Sequence, residues 1–204
     1  MSEVNLWAIE DGCFGEGYTT VCGVDEAGRG PLAGPVCAAA VILPPHIEIP
    51  GLNDSKKLTD KRRRELYPVI MEKAVAYGIA FASEGEIDSI NILQATYLAM
   101  ERALAQLSVR PDLALIDGNR AKDFGLPVRT VVQGDSLSAS IAAASVLAKV
   151  TRDDYMLKMA QEYPGYDFEI HKGYGTKAHY AALTKLGPSP IHRMTFLKKF
   201  YGEK

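Results

Sequence analysis

Residues 20–43 read TVCGVDEAGRGPLAGPVCAAAVIL, two apolar segments separated by a run rich in glycine and proline. The flanking segments, Thr20 to Asp25 and Val36 to Leu43, are rich in alanine and β-branched residues and bounded by turn formers, which is typical of buried strands. We therefore predict two strands joined by a tight glycine-rich turn. Two acids, Asp25 and Glu26, stand where the first strand enters this turn.

The rest of the chain alternates between helical and extended patterns. Apolar spacing predicts three helices, over residues 60–77, 91–107 and 136–163. It also predicts three further strands, over residues 78–83, 113–116 and 128–132. We expect Thr59 to cap the first helix, Gly78 to end it, and Pro68 to kink it or divide it. A strand pair followed by alternating helices and strands predicts an α/β fold with a mixed central sheet flanked by helices.

The composition is that of a globular protein with one core. The chain has 204 residues, of which 47% are hydrophobic and 24% charged, and it has no repeats. No segment approaches the roughly 18 apolar residues of a membrane helix, and the acidic N-terminal residues do not resemble a secretory signal. We therefore expect a cytoplasmic protein. An odd number of cysteines, three, argues against a disulfide framework.

Charge is unevenly distributed along the chain. The formal net charge is −2, yet residues 145–204 hold ten Lys or Arg against six Asp or Glu. A basic C-terminal part suits contact with a polyanion. The candidate phosphate contacts are Lys56, Lys57, residues 61–64, Lys149, Arg152, Lys172 and Lys177.

Four acids stand at the ends of predicted elements: Asp25, Glu26, Asp117 and Asp135. Side chains at strand ends and helix starts converge on one rim of a sheet, and carboxylates that close repel each other unless protons or cations intervene. Hard divalent cations take oxygen ligands, so such a cluster suits metal-assisted cleavage of phosphodiesters. The alternative is that Asp117 and Asp135 are ordinary turn or cap residues.

The glycine-rich turn has the spacing G-x-G-x-x-x-G, and Pro31 removes a backbone donor, so it does not fit a dinucleotide-binding fingerprint. Glycines would instead let the backbone approach a sugar closely enough to sense a 2′-hydroxyl. A turn that is merely tight is the alternative.

Two other functions are consistent with local patterns. Gly134-Asp135-Ser136-Leu137 resembles the nucleophile block of the GDSL esterases and would make Ser136 an acyl-transfer nucleophile. That family places its serine near the N-terminus and a D-x-x-H near the C-terminus. Here the block lies two-thirds along the chain and no Asp precedes a His by three residues, so the match is poor. The basic C-terminal part also allows a nucleic-acid-binding module without catalysis.

Five blocks of sequence carry a family resemblance. They are residues 23–36, 54–58, 116–119, 134–136 with 140–153, and 171–176. In this order and spacing, from about residue 20 to residue 197, they resemble bacterial ribonuclease HII, of the type 2 ribonuclease H family. Gln133 departs from the family, in which we expect lysine, and this change removes a phosphate contact.

The resemblance implies a ribonuclease H-like fold with a small helical C-terminal region that helps to hold the duplex. It implies an N-terminal extension at residues 1–19, a catalytic domain at residues 20–163 and the C-terminal region at residues 164–204. It also implies a monomer that acts on RNA/DNA hybrids and on duplex DNA containing ribonucleotides. No association with a membrane is expected.

The resemblance also implies roles for individual residues. Asp25, Glu26, Asp117 and Asp135 would be the catalytic ligands of two Mg²⁺ or Mn²⁺ ions. Tyr174 would stack on the sugar at the RNA-to-DNA junction. The other implied substrate contacts are Gly28, Arg29 and Gly30 at the ribose and adjacent phosphate, with Lys56, Lys149, Arg152 and Lys172 as basic contacts. Cleavage would fall on the 5′ side of a ribonucleotide and leave a 3′-hydroxyl and a 5′-phosphate.

Overall fold

The computed structural model describes residues 5–52 and 58–202. Its centre is a five-stranded sheet in the order β3-β2-β1-β4-β5. The strands are β1 (Val21–Ala27), β2 (Val36–Ile42), β3 (Ala76–Ala82), β4 (Leu113–Asp117) and β5 (Val128–Val131). The β1-β2 and β2-β3 pairs are antiparallel, and the β1-β4 and β4-β5 pairs are parallel. The predicted mixed sheet is thus confirmed.

Helices cover both faces of this sheet and form the C-terminal region. They are α1 (Ala8–Gly15), α2 (Asp60–Lys73), α3 (Glu84–Ala105), α4 (Ala139–Glu162), α5 (Phe168–His171), α6 (Lys177–Leu186) and α7 (Met194–Leu197), with a 3₁₀ turn at Gly134–Ser136. Within the described ranges, no helix combines the length and the apolar character needed to cross a membrane.

The alternation of side chains along β2 divides the core into two layers. Ala38 and Ala40 pack with α3 on one face, whereas Cys37, Ala39 and Val41 pack with α2 and α4 on the other. Every residue of β2 is buried, as expected of a strand whose two faces are both covered by helices. This explains why its sequence is apolar throughout and does not alternate.

The first turn of α4 lies directly on β1. A Cβ atom built on Gly23 would stand 2.1 Å from the main-chain carbon of Ser140, a distance that no side chain can occupy. A Cβ atom built on Gly78 in β3 would likewise stand 2.1 Å from the carbonyl oxygen of Ala103 in α3. Glycine at these two positions therefore lets helix backbone pack against strand backbone on both faces of the sheet.

The predicted helix over residues 60–77 was wrong at its C-terminal end. The helix ends at Lys73, and residues 76–82 form β3, in which Tyr77 pairs with Val41 and Gly78 with Ala40. Gly78 therefore lies inside a strand instead of ending a helix. Pairing with the buried β2 satisfies the backbone of these residues, and this long-range interaction outweighs their helical spacing.

Pro68 was predicted to kink α2 or to divide it into two pieces, and the predicted division is wrong. The helix runs unbroken from Asp60 to Lys73 with Pro68 inside it. Leu66 and Ile70, on either side of the proline, are buried, while Pro68 is exposed. Water can therefore solvate the carbonyl that the proline leaves without a donor, and the buried neighbours hold the helix on the sheet. The predicted cap is confirmed, because the Thr59 side chain accepts a hydrogen bond from the amide of Arg62.

The second predicted helix begins earlier than expected. α3 starts at Glu84, after a capping box between Ser83 and Glu86. Asn91, the predicted start, adopts φ +66° at a kink inside this helix, and its side chain accepts hydrogen bonds from the amides of Leu93 and Gln94. The sequence thus contains two consecutive helix-start signals, of which only the second was recognised.

The residues before Thr20 include α1, an element without a prediction. Its Glu10 is buried and accepts hydrogen bonds from the hydroxyl of Ser138 at 2.7 Å and from the amide and hydroxyl of Ser140 at 3.0 and 2.6 Å. A carboxylate at this place satisfies donors in the first turn of α4 and interacts favourably with the helix dipole. The N-terminal segment thereby docks beside the start of α4.

We expect Gly23→Ala to destabilise the fold strongly, because the added methyl group must separate α4 from β1. Overpacking of this kind costs about 3 kcal/mol or more when the obstacle is backbone. Gly12→Ala in α1 is the matched control: nothing lies within 4 Å of its Cβ position, and we expect a gain of up to about 1 kcal/mol. Urea unfolding followed by circular dichroism measures both. Equal stability of the two variants would contradict the close packing.

Candidate active site

Three predicted acids converge at one edge of the sheet. Asp25 lies in β1 and Asp117 ends the parallel neighbour β4, so both reach the same edge, while Asp135 lies in the 3₁₀ turn before α4. One oxygen from each carboxylate lies within 4.8 Å of the others. Asp117 also accepts a hydrogen bond from the amide of Gly134 at 2.7 Å, which ties the end of β4 to the turn.

The electrostatics of this group favour a cation. Asp25 is 5% exposed, and its pKa is raised well above the ordinary value, first by burial and then by the charges of Glu26, Asp117 and Asp135. Carboxylates packed this closely are unfavourable unless a proton or a cation compensates them. Their oxygen atoms are the ligands that hard divalent ions prefer. The residues present therefore fit a divalent metal ion.

Glu26 is positioned differently from the other predicted acids. Its carboxylate pairs with Arg29 at 3.2 Å, and within the described part of the chain the group that can hold a metal consists of Asp25, Asp117 and Asp135. Glu26 nevertheless lines the same cavity as Asp25 and a second cavity with Asp117. Its role as a fourth ligand stays a prediction.

A cavity of about 260 Å³ lies beside the acids. Its lining includes six of the predicted substrate contacts: Gly28, Arg29, Gly30, Lys149, Arg152 and Tyr174. Tyr174 is 45% exposed, so its ring is accessible. An adjoining cavity of about 310 Å³ shares Glu26 and Arg29 with the first and adds Asn119 and Arg120. We call these two adjoining cavities together the groove; Asp25, Glu26 and Asp117 are the acids that line it.

Two of the predicted basic contacts, Lys56 and Lys172, are not confirmed as part of the cavity lining. Lys56 falls outside the described residues. Lys172 is not among the residues that line the cavity, and its ammonium group donates to the carbonyl of Glu169. Lys149 lines the cavity and forms a salt bridge with Asp153 at 2.6 Å.

Arg152 is buried, and this differs from the expectation of a phosphate contact. Its side chain is 1% exposed and donates to the carbonyls of Pro35, Ala33 and Lys172 at 3.0 to 3.1 Å. A guanidinium group enclosed in this way cannot reach a phosphate in the groove without breaking these bonds. The placement favours support of the loop over direct contact with substrate.

Sequence reasoning missed or underweighted several residues at the cavity. Arg63 and Ser145 also line it, although the sequence marks Arg63 only as part of a basic run. Arg193, which no sequence motif singles out, is fully buried behind the glycine-rich loop. No local pattern distinguishes a buried arginine from a surface one, so only the fold reveals it.

Comparison with known proteins identifies the family. The model of the family described as Ribonuclease HII matches residues 22–199. The chain belongs to the ribonuclease HII family. A relative named Ribonuclease HII from Endomicrobium trichonymphae is 55% identical over 194 residues, which is 94% of this chain and 92% of that protein.

Solved structures agree with this assignment. The crystal structure of the ribonuclease H2 from Pyrococcus horikoshii OT3 has a TM-score of 0.73 and 26% identity, and the match covers 91% of this chain and all of that one. Bst-RNase HIII, solved in complex with Mn²⁺, shares the fold with a TM-score of 0.62 at 20% identity, over 82% of this chain and 63% of that one.

Membership of this family makes the chain an enzyme, a ribonuclease H endonuclease of a metal-dependent class. The alternative of a binding module without catalysis is therefore wrong. The esterase alternative fails on geometry as well. The hydroxyl of Ser136 donates to the carbonyl of Gln133 at 2.9 Å, and in the described part of the chain no histidine side chain is hydrogen-bonded to it.

Three buried histidines support the segment that carries Tyr174. His179 Nδ1 lies 2.9 Å from the carbonyl oxygen of Tyr174 and must donate to it, so its Nε2 is an acceptor. His192 Nδ1 accepts a hydrogen bond from the amide of Ser189. His192 Nε2 lies 2.9 Å from His179 Nε2 and donates its hydrogen to that nitrogen. The hydrogen bonds thus require both rings to be neutral.

His171 completes this group. Its Nε2 lies 2.7 Å from the carbonyl oxygen of Tyr166, and its Nδ1 accepts from the amide of Gly173, the residue before Tyr174. Its ring also stacks on that of His179 with 4.4 Å between centroids. Protonation of any member would place a charge in a buried cluster and break a hydrogen bond.

We expect the C-terminal region to lose stability in mild acid. Burial lowers the pKa of His179, and burial and His179 together lower that of His192 to about 4. A histidine with a lowered folded pKa stabilises the fold fully above its unfolded pKa of roughly 6.5, and this contribution is lost as the pH falls toward 4. The loss from His192 amounts to at most about 3 kcal/mol.

Unfolding by urea between pH 7.5 and 4.5 measures this effect. His192→Gln, which cannot titrate, should show a shallower pH dependence than the parent chain. Tyr166→Phe, which removes one hydroxyl hydrogen bond of the same region and keeps every imidazole, is the control and should keep the parent slope. An unchanged slope in His192→Gln would reject this account of the cluster.

Proposed function

We propose that this chain hydrolyses the RNA strand of RNA/DNA hybrids and cuts on the 5′ side of single ribonucleotides embedded in duplex DNA, leaving a 3′-hydroxyl and a 5′-phosphate. The observation that carries the proposal is the convergence of Asp25, Asp117 and Asp135 beside a glycine-rich loop and an exposed tyrosine. The cluster of acids therefore lies beside a cavity whose lining suits a sugar.

In this proposal, two divalent ions, Mg²⁺ or Mn²⁺, are held by Asp25, Glu26, Asp117 and Asp135. The raised pKa of Asp25 and the closeness of the carboxylates support such a site. When bound, the ions supply activation of the attacking water and stabilisation of the charge on the leaving oxygen. Glu26 pairs with Arg29 through Oε1, and a metal ion that draws this carboxylate away makes Arg29 available to a phosphate of the substrate.

Recognition of the ribose falls to the loop and to Tyr174. Gly28, Arg29 and Gly30 line the cavity and offer main-chain groups, and a 2′-hydroxyl both donates and accepts hydrogen bonds. A Cβ on Gly30 would lie 3.7 Å from the Tyr174 ring, so the loop and the ring face the same space. This arrangement lets the ring stack on a sugar while the loop contacts its 2′-hydroxyl.

The remaining substrate contacts are electrostatic. We assign Lys149 on the cavity wall, and Lys56 and Lys172 by family resemblance, to phosphates of the duplex. Arg63 lines the cavity as well and joins this set. We place the catalytic domain at residues 20–163, preceded by the extension at residues 1–19. The C-terminal region, residues 164–204, contributes Tyr174 and the surface that contacts the duplex of a monomeric enzyme.

Asp117→Asn should reduce cleavage by roughly a hundredfold or more and leave the fold intact, because an amide cannot replace the charge of a metal ligand. The substrate is an end-labelled DNA duplex with one ribonucleotide, tested with Mg²⁺, with Mn²⁺ and with chelator. Asp123→Asn is the matched control and should cut normally, since Asp123 accepts a hydrogen bond from the amide of Gly125 and does not line either cavity of the groove. Full activity of Asp117→Asn, or cleavage that resists chelation, would reject the two-metal proposal.

Tyr174→Ala should lower kcat/KM on the same duplex by about tenfold, because stacking of an aromatic ring contributes about 1–3 kcal/mol. Tyr174→Phe keeps the ring and should retain most of the activity. Tyr201→Ala removes a comparably exposed tyrosine of the C-terminal region that does not line the cavity, and it should have no effect. Binding to an all-DNA duplex should change little in all three. Equal loss of binding to both duplexes would contradict a role at the ribose.

A further inference from the structure

The loop between β1 and β2 is held from behind by a buried arginine of the C-terminal region. Arg193 donates from Nη2 to the carbonyl of Gly28 at 2.5 Å, from Nη1 to that of Arg29 at 2.9 Å and from Nε to that of Gly34 at 2.8 Å. All three nitrogen atoms of one fully buried guanidinium group therefore donate to main-chain oxygens of one loop. Such a fork of fixed donors is a property of arginine that lysine lacks.

A second buried arginine extends this arrangement. Arg152 of α4 donates to the carbonyls of Ala33 and Pro35, the two loop residues on either side of Gly34. A Cβ on Gly28 would stand 1.9 Å from its Nε atom, so the loop backbone lies directly on the guanidinium group. Five carbonyl oxygens within residues 28–35 thus point at two cations.

The direction of these carbonyls fixes the direction of the amides. In a trans peptide the C=O of one residue and the N–H of the next point in opposite directions, and the described residues contain no cis peptide bond. The carbonyls of Gly28 and Arg29 point at Arg193, so the amides of Arg29 and Gly30 point away from it. These are residues that line the cavity beside the acids.

The arrangement is electrostatically costly, which argues for a function. Burial and the charge of Arg152 lower the pKa of Arg193 to about 9, so the guanidinium group of Arg193 stays charged near neutral pH. The carboxylate of Glu84 acts on both cations and partly offsets their repulsion. Apolar side chains would fill this space with less desolvation but could not orient a backbone.

We propose that Arg193, assisted by Arg152, is a positioning residue that aims the main-chain N–H groups of Arg29 and Gly30 at the ribose of the cleaved nucleotide. The inference rests on the proposed function, since it explains how the loop is made to face its substrate. Arg193 does not touch the substrate. It sets the geometry of groups that do, and small displacements of such groups are expensive for catalysis.

Arg193→Gln and Arg193→Lys test this proposal. Two measurements are made on each variant: kcat/KM for cleavage of a duplex with one ribonucleotide, and Kd for an all-DNA duplex of the same sequence. We expect cleavage to fall roughly tenfold or more in Arg193→Gln and less in Arg193→Lys, which retains the charge and some donors. Binding to the all-DNA duplex should stay within about twofold of the parent. If Arg193→Gln does not fold, the lysine variant carries the test.

Two control variants separate positioning from general loosening. Arg129→Gln removes an arginine that pairs with Glu16 away from the groove, and Tyr166→Phe removes a hydroxyl that donates to the carbonyl of Gly187 within the C-terminal region. Both should cleave at the parent rate. The inference would be overturned if the Arg193 variants lost cleavage and all-DNA binding in proportion. It would also be overturned if neither Arg193→Gln nor Arg193→Lys lost cleavage. Failure of the parent chain to cut the duplex would instead reject the proposed function.

Discussion

The contact between Gly23 and the first turn of α4 determines where the acids stand. Because position 23 has no side chain, the backbone of Ser140 lies directly on β1. Asp25 follows two residues later on the same face of the strand, and Asp135 lies in the turn that leads into α4. Backbone packing therefore brings these two carboxylates close together.

That packing imposes an electrostatic cost on the folded protein. Asp25 is buried among other carboxylates, and its pKa rises accordingly. A fold selected for stability alone would avoid such a cluster, because each buried charge loses its hydration. The cost becomes useful when a divalent cation is available, since the same arrangement that disfavours three charged carboxylates close together provides a ready set of oxygen ligands.

The C-terminal region completes the site by holding the backbone of the glycine-rich loop and of the segment that carries Tyr174. Arg193 holds the glycine-rich loop, and a neutral histidine cluster holds the carbonyl of Tyr174 and the amide of Gly173. The amide of Leu32 in turn donates to the carbonyl of Gly173, which links the two segments directly. The loop and the tyrosine thus belong to one hydrogen-bonded unit, although they are about 140 residues apart in sequence. Their relative position is correspondingly well defined.

Local patterns in the sequence predicted much of the fold. The buried strands, the cap at Thr59 and the mixed sheet followed from apolar runs and turn residues. Errors occurred where long-range contacts compete with local preference. Residues 76 and 77 continue the helical pattern but pair with β2, and Pro68 is accommodated because the buried residues around it hold the helix in place.

The candidate site divides in the same way. The sequence by itself determined the family, through five ordered blocks, and it determined which residue types stand at element ends, because turn and strand signals are local. Only the tertiary structure decided that Asp25, Asp117 and Asp135 meet while Glu26 pairs with Arg29. It also decided that Arg152 and Arg193 face inward to carbonyl oxygens and not outward to phosphates. The physical reason is that a charged side chain is given its role by the partners that folding brings within hydrogen-bonding distance, and no spacing along the chain specifies those partners.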